Sequence, residues 1–174
     1  MEHFEITGYG KFMLIRPLIG FKRAMELQIK RFPYARNVFL MMKFRRENKL
    51  LSDFILQELN KLGLKGIRAD DPDWNITSNV YNPIAVLYCC RFGLALFDEP
   101  EGEQSYNFNV AYELGMMHYQ DKNCLILRNE KLPPVPFYLV KEIYKSYMNN
   151  LEVRDIIEEW VKNIQNEEIK SAYN

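Results

Sequence analysis

Apolar residues along this chain come in short blocks whose spacing switches between the strand period and the helix period. Val38 to Met42 is a compact apolar run, which predicts a strand. In the next block Leu51, Phe54, Ile55, Leu59 and Leu62 share one side of a 3.6-residue repeat, so Leu50 to Leu62 reads as an amphipathic helix with Gly63 as its C-cap. A strand is expected at Lys65 to Ala69, followed by a helix from about Asn75 to Cys90. Pro83 must sit in that helix's first turns or kink it. Phe92 to Phe97 is apolar throughout and bounded by charge, as suits a strand buried on both faces. After a polar, acidic loop from Asp98 to Ser105, a helix runs to about Tyr119. A strand at Cys124 to Leu127 leads into Pro133-Pro134-Val135-Pro136, which breaks any regular element. A fifth strand near Ile143 to Tyr147 and an amphipathic helix from Leu151 to Ile164 close the chain.

Five strands alternating with helices predict an α/β fold, a parallel sheet covered on both faces. Residues 1–36 stand outside this alternation. They are expected to add a strand (Lys11 to Ile15) and a helix (Phe21 to Arg31) that pack on the sheet edge or on a partner. The division is therefore a short N-terminal extension, 1–36, and an α/β domain, 37–174.

Within this pattern one carboxylate stands out. In open α/β sheets, ligands bind outside the carboxyl ends of the strands, where the loop after Phe97 lies. If Asn107 or Asn109 caps the helix that follows, Val110, Leu114 and Met117 form its apolar stripe. Glu113 falls between Val110 and Met117 in angle and so points toward the sheet. Desolvation there would raise its pKa, as in a catalytic acid or nucleophile. A first-turn glutamate complementing the helix dipole is the competing reading.

Composition narrows the classes. With 174 residues and 48% hydrophobic content, the chain has enough material for one domain with a substantial core. No apolar run approaches the roughly 20 residues of a membrane span, and no signal-peptide pattern opens the chain, so a soluble cytoplasmic protein is expected. Cys89, Cys90 and Cys124 make neither a disulfide framework nor a zinc spacing and read as small buried hydrophobes. The net charge is zero, yet residues 1–49 are strongly basic while the stretch from Asp98 to Glu113 is purely acidic. The basic excess is read as a solvated helical face or a subunit contact, with nucleic acid the less favoured partner.

Four segments occur in a telling order: Val38-Phe39-Leu40-Met41-Met42-Lys43-Phe44, Arg68-Ala69-Asp70-Asp71, Asn107 to Gly115, and Pro136-Phe137 before a strand ending in Tyr147. Over roughly residues 37 to 147 the chain resembles the nucleoside 2-deoxyribosyltransferase-like proteins and the related bacterial TIR-like domains. The Asn-x-Asn-Val-x-x-Glu-Leu-Gly core is the most specific element. The resemblance implies a flavodoxin-like three-layer sandwich with a five-stranded parallel sheet. It also implies cleavage or transfer at the N-glycosidic bond of a nucleoside or nucleotide, with NAD a possible substrate. It marks Glu113 as the catalytic carboxylate and Asp98 as the acidic residue beside it. Lys43 stands where the family often has proline, and the usual transferase Gly-x-Tyr-x-Gly loop is missing, which favours hydrolysis over transfer.

The remaining candidates follow from position. Asp70 and Asp71 lie on the ligand edge and could bind base or ribose; a turn with Pro72 and a cap for the next helix is the competing role. Arg68 could meet a phosphate or pair with these aspartates. Asn107 and Asn109 could hold substrate or cap the helix, and Phe44 and Tyr112 could stack on a base or belong to the core. His118 lies on a different face from Glu113, so no His–Glu dyad is expected. No metal cluster, phosphate-binding glycine loop or Ser/Cys-His triad is present, and no cofactor is expected. A small-molecule nucleotide partner and homo-oligomerisation are expected, with no membrane association. The alternative function is a catalytically silent nucleotide sensor built on the same pocket.

Overall fold

The computed structural model describes residues 2–98, 107–132 and 144–172, with side chains to residue 166. The N-terminal segment forms a hairpin, β1 (His3–Ile6) and β2 (Gly10–Met13), and a helix, α1 (Lys22–Arg31). The remainder alternates: β3 (Asn37–Met41), α2 (Lys49–Lys61), β4 (Lys65–Ile67), α3 (Asn82–Tyr88), β5 (Phe92–Phe97), α4 (Phe108–Tyr119), β6 (Cys124–Asn129), β7 (Tyr144–Tyr147) and α5 (Asn150–Ala172). The acidic loop beyond Asp98 and the proline-rich segment with Phe137 and Ile143 lie outside the described residues.

The main sheet has the order β4-β3-β5-β6-β7 and every pairing is parallel. This is the α/β arrangement expected from the alternating periods, and it agrees with a flavodoxin-like fold. Parallel neighbours require crossovers over a sheet face, so β3 and β5 are roofed on both sides and bury every residue. Side chains alternate between two cores. Val38, Leu40, Phe92, Leu94 and Leu96 pack with Ile55, Leu59, Val153, Ile157 and Trp160 of α2 and α5. Phe39, Met41, Ala95 and Phe97 pack with α3 and with Val110, Leu114 and Met117 of α4.

Several boundaries move for local reasons. The helix after β4 begins at Asn82 rather than near Asn75, because a short 3-10 turn (Pro72–Trp74) and a side-chain-bonded loop occupy the stretch between, leaving Pro83 in the first turn. Gly63 has φ +81 and ends α2 with its N–H on the carbonyl of Asn60, 3.0 Å, as a C-cap glycine should. β6 continues to Asn129, two residues past the expected end.

The N-terminal hairpin does not join the main sheet. Phe4, Ile6, Leu14, Leu18, Met25 and Tyr34 enter the core on the α3/α4 side, and the Tyr88 hydroxyl donates to the Met13 carbonyl at 2.6 Å. Four of the basic residues of this region are paired: Lys11 with Glu5, Arg23 with Glu26, Arg31 with Asp73, and Lys49 with Asp53. No helix among the described residues is long and apolar enough to cross a membrane.

α4 approaches the sheet closely at Gly93. A Cβ there would lie 2.7 Å from Cys124 Sγ, 2.8 Å from Met41 Cε and 2.9 Å from Met117 Cε. The two methionines can swing aside, but the short Cys124 arm on the neighbouring strand cannot. Gly93→Val is therefore expected to destabilise the fold by about 1–3 kcal/mol through overpacking, read as a lower urea midpoint at unchanged m-value.

Candidate active site

The direction of strand connection reverses at β3: the chain moves to β4 on one side and to β5 on the other. Crossovers leaving on opposite faces open a crevice at the carboxyl ends of these strands. A cleft of about 990 Å³ occupies this edge. Its walls are Met42, Lys43 and Phe44 after β3, Ala69, Asp70 and Asp71 after β4, the 75–83 segment, and Asn107, Asn109 and Glu113 of α4.

Glu113 is the cleft's chemically distinctive group. Its helix starts at Asn107, whose side-chain oxygen accepts from the N–H groups of Asn109 at 2.9 Å and Val110 at 3.4 Å. Capping thus explains Asn107, while Asn109 lies exposed on the cleft wall. With Val110, Leu114 and Met117 buried, Glu113 is turned partly out of solvent. No hydrogen bond or ion pair compensates it among the described residues, and burial raises its carboxyl to about 7.

The aspartates after β4 are engaged. Asp70 receives a bidentate pair from Arg68, Nε–Oδ1 2.8 Å and Nη2–Oδ2 2.6 Å. The same guanidinium lies 4.2 Å from the centre of the Phe44 ring, so one face of that ring is taken. Asp71 accepts from the Asp73 N–H at 2.9 Å, capping the short turn that contains Pro72. Tyr112 is 61% exposed and does not line the cleft; His118 is also exposed.

Asp98 does not line the cleft with Glu113. Its carboxylate accepts from Asn129 Nδ2 at 2.8 Å, and its backbone carbonyl accepts from Arg45. Buried Tyr147 lies close enough that, after desolvation, the Asp98 charge further raises its phenol. Alternation along β5 gives the reason. Phe92, Leu94 and Leu96 face α2 and α5, so the next even position does as well, whereas α4 covers the odd face.

Asn82 was missed in the sequence and shapes one cleft wall. Buried at the start of α3, it accepts from the N–H groups of Ile76 (2.7 Å) and Thr77 (3.1 Å) and donates to the carbonyls of Ala69 and Trp74 (both 2.9 Å). One amide so ties the end of β4 to the loop. The available signal was an asparagine immediately before the proline of a first helical turn. No group of three or more His, Cys, Asp or Glu among the described residues could hold a metal ion.

Two outcomes follow for stability. Asn82→Leu leaves four backbone groups without their partner and should cost about 2–4 kcal/mol, with faster amide exchange at Ile76 and Thr77. For Glu113 the folded value of about 7 lies above the ordinary 4.5, so the native state holds the extra proton between those values. Stability contributed by this group is full below about pH 4.5 and falls as pH rises to about 7. Glu113→Gln should match the parent near pH 4 and exceed it by about 1–3 kcal/mol at pH 8, read by chemical denaturation at both pH values.

No family model matches the chain, and no curated protein matches it. Among solved structures, the chain is similar to the Clostridium botulinum CMP N-glycosidase BcmB. The TM-score is 0.52 at 18% sequence identity, covering 71% of this chain and 98% of that one. A 2-deoxyribosyltransferase from Bacillus psychrosaccharolyticus aligns with TM-score 0.46 and 13% identity, covering 68% of this chain and 90% of that one. At these identities the similarity to the N-glycosidase is one of fold.

Proposed function

We propose that this protein cleaves the N-glycosidic bond of a nucleoside or nucleotide, with Glu113 as the catalytic carboxylate. The observation that carries the reading is an uncompensated, desolvated carboxylate facing a ligand-sized cleft at the switch point of the sheet. Breaking the C–N bond builds positive charge on the ribose ring as the base departs. Among the described residues the ionised Glu113 has no partner, so the developing cation is the group that best satisfies it. Its stabilisation is then larger in the transition state than in the ground state, which is the condition for rate acceleration. The same carboxylate can instead attack the anomeric carbon and form a covalent intermediate.

The other cleft groups fit substrate holding. Asn109 presents an amide, Lys43 places a cation at the rim, and Phe44 offers an apolar wall on the side not covered by Arg68. Because a fold neighbour is a CMP N-glycosidase, a pyrimidine nucleoside monophosphate is the first substrate to test, with NAD and deoxyribonucleosides beside it.

One observation favours a second reading, a nucleotide sensor without turnover. The expected partner acid, Asp98, is committed to Asn129 and does not line the cleft, leaving Glu113 to act without it. Base release measured by chromatography separates the two. For an N-glycosidase, release should rise with pH through about 7 as Glu113 ionises, and Glu113→Gln should lower it by about 10²-fold or more. Nucleotide that binds stoichiometrically and is recovered intact from the wild-type protein would instead establish the sensor.

A further inference from the structure

A second cleft lies at the opposite, amino-terminal edge of the sheet and shares no residue with the first. It measures about 500 Å³ and forms the seam between the N-terminal hairpin region and the α/β domain. Tyr9, Phe12 and Tyr34 come from one side; Arg91, Gln120 and Lys122 come from the other. Its volume lies within the usual range for small-molecule sites.

Lys122 is the unusual member. It is 6% exposed, and its ammonium gives one hydrogen bond to the Leu87 carbonyl at 2.7 Å. Around it lie three rings, Phe12 at 5.0 Å, Tyr34 at 5.4 Å and Tyr88 at 5.9 Å from Nζ to centroid. No carboxylate pairs with it among the described residues. The nearby thiols do not neutralise it either, since burial raises Cys89 and Cys124 to about 12 and Cys90 still more firmly upward. A buried cation without an anion is costly, and burial lowers Lys122 to about 8 accordingly.

Two further features point the same way. The side-chain oxygen and nitrogen of Gln120, at the end of α4, are both buried and make no hydrogen bond. The Arg91 guanidinium lies 4.8 Å from the Tyr9 ring centre and adds a second positive charge to the cleft wall. The single carboxylate of the lining, Asp121, is exposed.

We propose that this seam is a second ligand site, taking a small planar aromatic anion whose acidic group meets Lys122 and Arg91 and whose ring lies against Tyr9, Phe12 and Tyr34. The anion supplies the charge that the buried ammonium lacks, the rings supply apolar contact, and Gln120 supplies a polar handle that accepts and donates. Because its walls come from the hairpin region and the α/β domain, occupancy also ties the two together.

Titration calorimetry with phenyl phosphate and with benzoate tests the site, with benzamide as the neutral control. Saturable binding of at least one anion is expected, with benzamide at least tenfold weaker. Lys122→Met, which keeps side-chain length without charge, should weaken the anion at least tenfold, while Glu113→Gln in the other cleft leaves it unchanged. Tyr9→Ser, at a 40% exposed position on the lip, should weaken it several-fold and provides the reading if Lys122→Met does not fold. Absence of saturable binding overturns the proposal. So does equal affinity for benzamide, retention of full affinity in Tyr9→Ser or folded Lys122→Met, or loss of binding in Glu113→Gln.

Discussion

Complete burial of β3 and β5 is the constraint from which the rest of this molecule follows. Eleven consecutive-in-strand positions, five in β3 and six in β5, are all removed from water. Such strands can exist only where helices roof both faces, which places α2 and α5 on one side and α3 and α4 on the other. Roofing on opposite faces means that the crossovers from β3 and into β5 diverge, and divergence leaves a gap at the carboxyl edge. The cleft is a by-product of satisfying the hydrophobic strands. Gly93 then lets α4 settle close to the sheet, fixing the height at which Glu113 meets the gap.

The two clefts express one electrostatic idea at opposite ends of the sheet. Each holds a desolvated ionisable group without an opposite charge among the described residues, a part-buried carboxylate at one edge and a buried ammonium at the other. Elsewhere among the described residues charges find partners: Arg68 pairs with Asp70, Lys61 with the buried Glu58, and Asp98 accepts a hydrogen bond from Asn129. Unpaired charge is thus localised rather than scattered, and localised desolvation is a poor investment in stability but a sound preparation for ligands.

Much of this arrangement was legible in the residues. β5 matches the expected Phe92 to Phe97, and the stripe of Val110, Leu114 and Met117 turns Glu113 toward the sheet edge, because both inferences rest on strong local periodicity. Asp98 shows where proximity in sequence misleads. It follows β5 and precedes α4, yet strand alternation assigns it to the other face, a conclusion that the period-2 rule already contained. The late start of α3 was not legible, since a loop held by four hydrogen bonds from Asn82 has no periodic signature. Lys122 was equally hidden: its burial depends on rings contributed by Phe12 and Tyr34, about ninety to a hundred and ten positions earlier in the chain, and no local pattern encodes that meeting.

The adjacent cysteines of α3's end carry a practical consequence. Cys89 and Cys90 are fully buried between the N-terminal segment and the sheet, and desolvation keeps both thiols protonated at neutral pH. It is the thiolate that attacks an alkylating reagent, so neither sulfur can react until the segments around it part. The chain therefore contains its own chemical clock. Once the more accessible Cys124 is counted separately, the rate at which a maleimide consumes these two sulfurs meters how often the hairpin region lifts away from α3.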